Sequence, residues 1–280
     1  MVELPADPDG AELEDLVAAH FAARGCFVEQ GVTEREQGDI LELDVIWTDY
    51  RREATPHPVE VKSGSWGLTD LFKFYGWTRY LEMLPGQFVY TQPPSDEEKI
   101  LHVAARTGIS LIDAGDQDSL GGQLAQLSLP APTTEYSPGM WRDSYWIQRR
   151  FFKALQQSIR RQSCSTTAVA AKKYYRLIND ALFFEPDPRK RFAKLLSAHS
   201  DHPRLAKSAA AEIAGLDVDL EDPPNTAEFT NALYRGAHPP VQACFYLAHR
   251  ARLFVLKAAV DYTLAKGRGE LDPDEFVIRL

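Results

Sequence analysis

The sequence predicts an α/β domain followed by an all-helical one, and three observations carry that reading. Over the first 113 residues hydrophobic spacing alternates between helical and period-two patterns in the order αβββαβαβ. Glycine and proline gather between 114 and 139, and beyond them only helical patterns recur. The expected division is an α/β domain over 1–115, a linker over 116–140 and a helical domain over 141–280. A chain of 280 residues, 44% hydrophobic and 25% charged, has material for two cores.

Each element follows from local pattern. Residues 11–24 place Leu13, Leu16, Val17 and Phe21 at helical spacing, and Gly25 ends the helix. Residues 26–32 and 41–48 read as strands, the second (Leu-Glu-Leu-Asp-Val-Ile-Trp-Thr) opening with strict alternation and rich in β-formers. A turn-like stretch, 49–58, leads to a further strand at 59–62, Val-Glu-Val-Lys. Leucines and aromatics over 68–84 predict a helix that stops before Pro85-Gly86. Residues 87–91 form a short strand, 96–107 a helix and 108–113 a last strand. After Gly121-Gly122, Pro130, Pro132 and Pro138, helical patterns are expected over 142–162, 166–184, 187–199, 203–215, 226–236 and 239–266.

Composition excludes several classes. No basic stretch followed by an apolar run opens the chain, so no secretory signal is expected. The most apolar stretch, 241–264, is broken by Gln242, His249, Arg250, Arg252, Lys257 and Asp261, which argues against a membrane span. Cys26, Cys164 and Cys244 are odd in number and far apart, without Cys-x-x-Cys spacing, so a reducing cytoplasm is the expected compartment. Neither a Walker A sequence nor Gly-x-Gly-x-x-Gly occurs, so any ATPase would be a separate partner protein. The net charge of −9 is unevenly spread. Residues 1–135 carry 9 Lys and Arg against 24 Asp and Glu, residues 136–280 carry 22 against 16, and 142–207 alone carry 15 against 5. Such a basic segment suits a polyanion, and equally a solvated helical surface.

The residues that can carry chemistry sit on two of the strands. Alternation puts Glu42, Asp44 and Ile46 on one face of 41–48, and Glu60 and Lys62 on one face of 59–62, opposite Val59 and Val61. If the strands are neighbours, Asp44, Glu60 and Lys62 converge. Two carboxylates supply hard oxygen ligands suited to Mg²⁺, and a lysine two residues from one of them can orient water or stabilise negative charge. Glu42 shares the face of Asp44 and rivals it, while Asp39 falls on the opposite face. His57, His199 and His202 lack a third ligand nearby and read as surface or capping residues.

This pattern resembles the PD-(D/E)XK, or restriction-endonuclease-like, nuclease superfamily, in particular its Mrr and Holliday-junction-resolvase branches. The resemblance covers residues 10–113: a leading helix with an acidic residue (Gly-Ala-Glu-Leu-Glu14), an aspartate strand (Glu-Leu-Asp44-Val-Ile), and Val-Glu60-Val-Lys62-Ser-Gly, followed by the aromatic helix from Asp70 to Tyr80. Leu43 stands where the family has proline, and the glutamine common on the following helix has no counterpart. The resemblance implies a mixed sheet flanked by helices and a metal-dependent endonuclease that hydrolyses phosphodiester bonds of nucleic acid, DNA favoured, in DNA processing or antiviral defence. It implies Asp44 and Glu60 as ligands of Mg²⁺ or Mn²⁺, Lys62 as the catalytic lysine, Glu14 as an accessory acid and Lys73 as a helper. Members often pair two active sites, so a homodimer is the corresponding expectation. In the helical half Arg149, Arg150, Lys153, Arg160, Arg161, Lys172, Lys173 and Arg176 are the candidate nucleic-acid contacts, interleaved with Trp141, Tyr145, Trp146 and other aromatics that read mainly as core. The alternative is a catalytically inactive subunit of the same fold that binds or assembles with other proteins.

Overall fold

A computed structural model describes residues 8–34, 41–52, 55–115, 117–132, 137–146, 149, 187–190, 193, 257–265 and 267–268. The chain divides into two compact units, Met1–Ile147 and Gln148–Leu280. In the second unit the described residues 188–190 and 257–265 are helical, with Lys257 paired to Asp261 at 3.1 Å. Of the helix expected over 142–162, residues 142–146 and 149 are described and helical, as is 193 in that expected over 187–199; the helices expected over 166–184, 203–215 and 226–236 lie outside the described residues.

The first unit is built on a five-stranded mixed sheet. Its elements are α1 (Ala11–Ala23), β1 (Phe27–Glu34), β2 (Leu41–Thr48), β3 (Pro56–Lys62), α2 (Leu68–Tyr80), β4 (Gly86–Tyr90), α3 (Glu97–Thr107), β5 (Ile109–Asp113) and α4 (Gln117–Ala125). The strands lie in chain order; β1, β2 and β3 pair antiparallel, then β3, β4 and β5 pair parallel. The change of direction follows from the connections. Short links join the first three strands, whereas α2 and α3 are the crossovers that parallel pairing requires.

Helices cover the two faces of the sheet with different residues. On one, Val45, Trp47, Val59, Val61, Val89 and Ile112 pack under Leu13, Leu16, Val17 and Phe21 of α1 and under Leu120 and Leu124 of α4. Trp47 stacks between Phe21 and His57 at centroid distances of 5.2 and 4.1 Å, and its indole donates to Gln87 Oε1 at 2.8 Å, bridging β2 to β4 across β3. On the other face a smaller cluster joins Phe88 and Ile109 to Leu71 and Phe74 of α2 and to Ile100 and Ala104 of α3, with Trp66 beside Phe88.

The expected elements recur with informative differences. The helix expected over 68–84 ends at Tyr80, because Glu82 takes a left-handed φ of 55° and the Met83 amide reaches back to Thr78 O at 2.8 Å, closing the last turn. The described part of 116–140, expected as a linker, carries α4 instead. Its Leu120 and Leu124 are fully buried, and Leu129 and Tyr145 complete the same cluster. Arg24, itself 4% exposed, ties this segment to α1 by donating to His20 O and Gly121 O, both at 2.8 Å.

Candidate active site

The site forms where the antiparallel β2–β3 pair reaches the end of its ladder. Pairing runs from Thr48 opposite Pro56 to Val45 opposite Val59, and one further step of that register sets Asp44 opposite Glu60. At that step the Asp44 carboxylate, not a strand carbonyl, accepts the Val61 amide at 2.8 Å. The aspartate is thus fixed by the backbone of the strand that carries Glu60 and Lys62. Glu60 sits opposite Phe88 of β4, at the margin of the smaller apolar cluster, and is 4% exposed.

Lys62 Nζ meets Glu60 Oε1 at 2.7 Å. Glu60 Oε2 is buried and has no hydrogen-bond partner among the described residues, an expensive arrangement for a carboxylate unless a further positive group satisfies it. Burial, then the charges of Glu60 and Glu14, push the Asp44 carboxyl well above the usual aspartate range, against the opposing pull of the Val61 amide and Lys62. Burial also raises Glu60, which the hydrogen bond and charge of Lys62 and the charge of Lys73 only partly offset, with Asp70 adding to the rise. For Lys62 burial works against the ammonium, but the hydrogen bond and charge of Glu60, with Asp44 and Asp70, outweigh it and hold the group above its usual value. Both carboxyls therefore sit where a cation would be stabilising.

The neighbouring helices supply the remaining charges. Glu14, half-buried on α1, acts on Asp44; α1 is held to the end of β3 by the Gly10 amide, which donates to Ser63 Oγ at 2.9 Å. From α2, Lys73 acts on Glu60 and Asp70 acts on both Glu60 and Lys62. Lys73 is exposed, with Nζ 4.4 Å from the Trp77 ring centroid. Asp70 was given no role by the sequence pattern. It caps α2, accepting the Gly67 amide at 3.0 Å, and a capping aspartate in a first turn is so common that its second service to the site has no signal of its own.

Asp44, Glu60 and Lys62 thus come together as expected, with Glu14 and Lys73 at the periphery. Glu42 is exposed and Asp39 lies outside the described residues. His57 is buried in the opposite face, stacked on Trp47. Among the described residues no group of three or more His, Cys, Asp and Glu side chains is arranged to hold a metal ion. Of the basic candidates in the second unit, Arg149 is half-buried in a helical position, and Arg150, Lys153, Arg160, Arg161, Lys172, Lys173 and Arg176 lie outside the described residues. No described helix is long and apolar enough to cross a membrane. Comparisons with protein-family models, curated proteins and solved structures find no match to this chain.

Proposed function

We propose that the chain is a divalent-metal-dependent phosphodiesterase of restriction-endonuclease-like fold, hydrolysing nucleic acid, DNA favoured. The observation that carries this reading is the meeting of Asp44, Glu60 and Lys62 on adjacent strands, with Asp44 hydrogen-bonded to the amide of Val61, the residue between the other two. The mixed sheet flanked by helices agrees with the architecture that the sequence resemblance implies.

The donor set fits Mg²⁺ or Mn²⁺. These hard cations take oxygen ligands, are commonly held by only one or two carboxylates, and complete their shell with water and substrate phosphate. The lone Oε2 of Glu60 and the mutually repelling carboxyls of Asp44 and Glu60 are the groups such an ion would satisfy. When bound, the ion supplies a Lewis acid for a phosphoryl oxygen and lowers the pKa of coordinated water. The chain itself supplies position and charge. Asp44 and Glu60 hold the cation, and the Val61 amide keeps the Asp44 carboxylate from rotating away. Lys62 places a positive charge beside Glu60, where it stabilises the extra negative charge of the transition state. Glu14 adds negative charge on the Asp44 side, and Lys73 and Asp70 tune the Glu60–Lys62 pair from α2.

The test is a cleavage assay on single- and double-stranded DNA and RNA with Mg²⁺, Mn²⁺ or a chelator. The proposal expects metal-dependent cleavage that Asp44→Ala, Glu60→Ala and Lys62→Ala each abolish without unfolding the protein. Equal cleavage by the triple variant overturns it. A binding or assembly subunit of the same fold instead neither binds Mn²⁺ nor cleaves any of these substrates.

A further inference from the structure

We propose that the outward face of α2 is a stacking track that leads an unpaired nucleic-acid strand to the Asp44–Glu60–Lys62 centre. The proposal deepens the phosphodiesterase reading, on which it rests for its direction, and narrows the substrate class to single strands or unpaired regions.

Three independent features of α2 point this way. Leu71, Phe74 and Thr78 form the buried stripe, and on the far side Phe72, Gly76 and Tyr80 follow one another at four-residue steps. Phe72 is 52% exposed and Tyr80 68%, large rings that contribute little to the core. The glycine between them is not required by the fold. It is helical without a positive φ, and a Cβ added there would meet nothing within 4 Å. An exposed mid-helix glycine weakens a helix, so its place here is explained by a group from outside that comes against the backbone between the two rings.

Charge selects the kind of group. In a half of the chain with 9 basic and 24 acidic residues, α2 reverses the balance, holding Lys73 and Arg79 against Asp70, which caps its first turn. Exposed rings combined with positive charge match a polyanion with free aromatic faces. Phe72 and Tyr80 are about 12 Å apart along the helix, the length of three to four bases at the stacked spacing of about 3.4 Å. A duplex keeps its base faces stacked internally and has none to offer. A second copy of the chain fits less well, because an antiparallel two-fold pairing about Gly76 that sets Phe72 on Tyr80 also sets Lys73 against Arg79, like charges facing each other. The track reaches the site through Lys73, which lies against Trp77 and whose charge acts on Glu60.

The experiment is fluorescence anisotropy in chelator, where no hydrolysis occurs, with the full chain, labelled oligothymidylate and the same strand annealed to oligoadenylate. The wild type is expected to bind the single strand at least tenfold more tightly than the duplex. The Phe72→Ala/Tyr80→Ala double variant should lose about thirtyfold or more in single-strand affinity, and Phe72→Trp/Tyr80→Phe should retain it. Melting temperatures confirm that each variant is folded. Unchanged single-strand binding in the alanine variant, or preference for duplex, overturns the track. So does a change of oligomeric state in that variant, read by light scattering, with oligonucleotide binding intact, which would assign the face to contact between copies. If the binding results hold while the wild type cleaves nothing, the phosphodiesterase reading fails alone. If it cleaves but the alanine variant binds normally, the track fails alone.

Discussion

The two faces of β3 make opposite use of one strand. Val59 and Val61 turn toward α1 and α4 and are 0% and 8% exposed, whereas Glu60 and Lys62 turn to the other face, where the apolar cluster draws its strand residues from β4 and β5. The closed face supplies the burial that holds the sheet together, at roughly 25 cal/mol per Å² of apolar surface. The other can therefore carry ionisable groups in arrangements that do not favour folding. Period-two alternation is what lets four consecutive residues serve both ends.

Moving a charge to the closed face should do the greatest damage. Val59→Asp places a carboxylate where no partner exists for it in the apolar cluster, a penalty of about 5 kcal/mol or more, and cooperative thermal unfolding followed by circular dichroism should be lost. The reverse change sharpens the contrast. Asp44→Asn should reduce metal-dependent hydrolysis by about 10²–10³-fold, the scale for removing a preorganised electrostatic group. The same substitution should raise the melting temperature of the metal-free protein at neutral pH, because burial and the charges of Glu60 and Glu14 raise the Asp44 pKa on folding and so penalise its carboxylate, a penalty that the neutral amide does not carry.

A third test reads the closed side through pH. Burial, with Arg24 and Arg142 nearby, lowers the His20 pKa from its ordinary 6.5 to about 4. As pH falls through that window the unfolded chain takes up a proton that the folded chain refuses, so folding stability falls by up to about 3 kcal/mol, with no effect above the window. The raised carboxyls of Asp44 and Glu60 work in the opposite direction on acidification, so the His20 contribution is read as a difference: in urea denaturation the wild type should lose stability relative to His20→Gln as pH falls from 6.5 to 4. Two glycines give the smallest effects, of opposite sign. A Cβ at Gly86 would lie 2.9 Å from the Phe74 ring and 3.1 Å from Thr78, so Gly86→Ala should destabilise by about 1–3 kcal/mol. Gly76→Ala meets open space and should stabilise by about 0.5–1 kcal/mol, readable in the same denaturation experiment.

What was legible in the sequence followed from periodicity. β2 spans the residues its alternation marks, and Asp44, Glu60 and Lys62 could be placed together because each lies in a strand whose faces are set by counting in twos. β3 starts earlier than expected, at Pro56, since Pro56 and Pro58 disguise it. Prolines are tolerated there because pairing with β4 begins only at Val59, leaving that side of the early strand without a ladder to supply. α4 was hidden behind Gly121-Gly122 and its surrounding polar residues, and its leucines are explained by tertiary packing with α1 residues and Ile112 of β5, which local pattern does not reveal. The track on α2 was equally invisible, because in a helix so rich in aromatics the sequence does not mark Phe72 and Tyr80 as the exposed ones.

The most direct test of the central claim, that the β2–β3 end is a cation site, is a Mn²⁺ titration followed by electron paramagnetic resonance on the wild type, Asp44→Asn and Glu60→Gln, in the presence of a non-cleavable phosphorothioate oligonucleotide. The wild type should show saturable loss of the free-Mn²⁺ signal, and both folded variants should leave that signal undiminished. Binding of equal strength in all three, or none in the wild type, would contradict it.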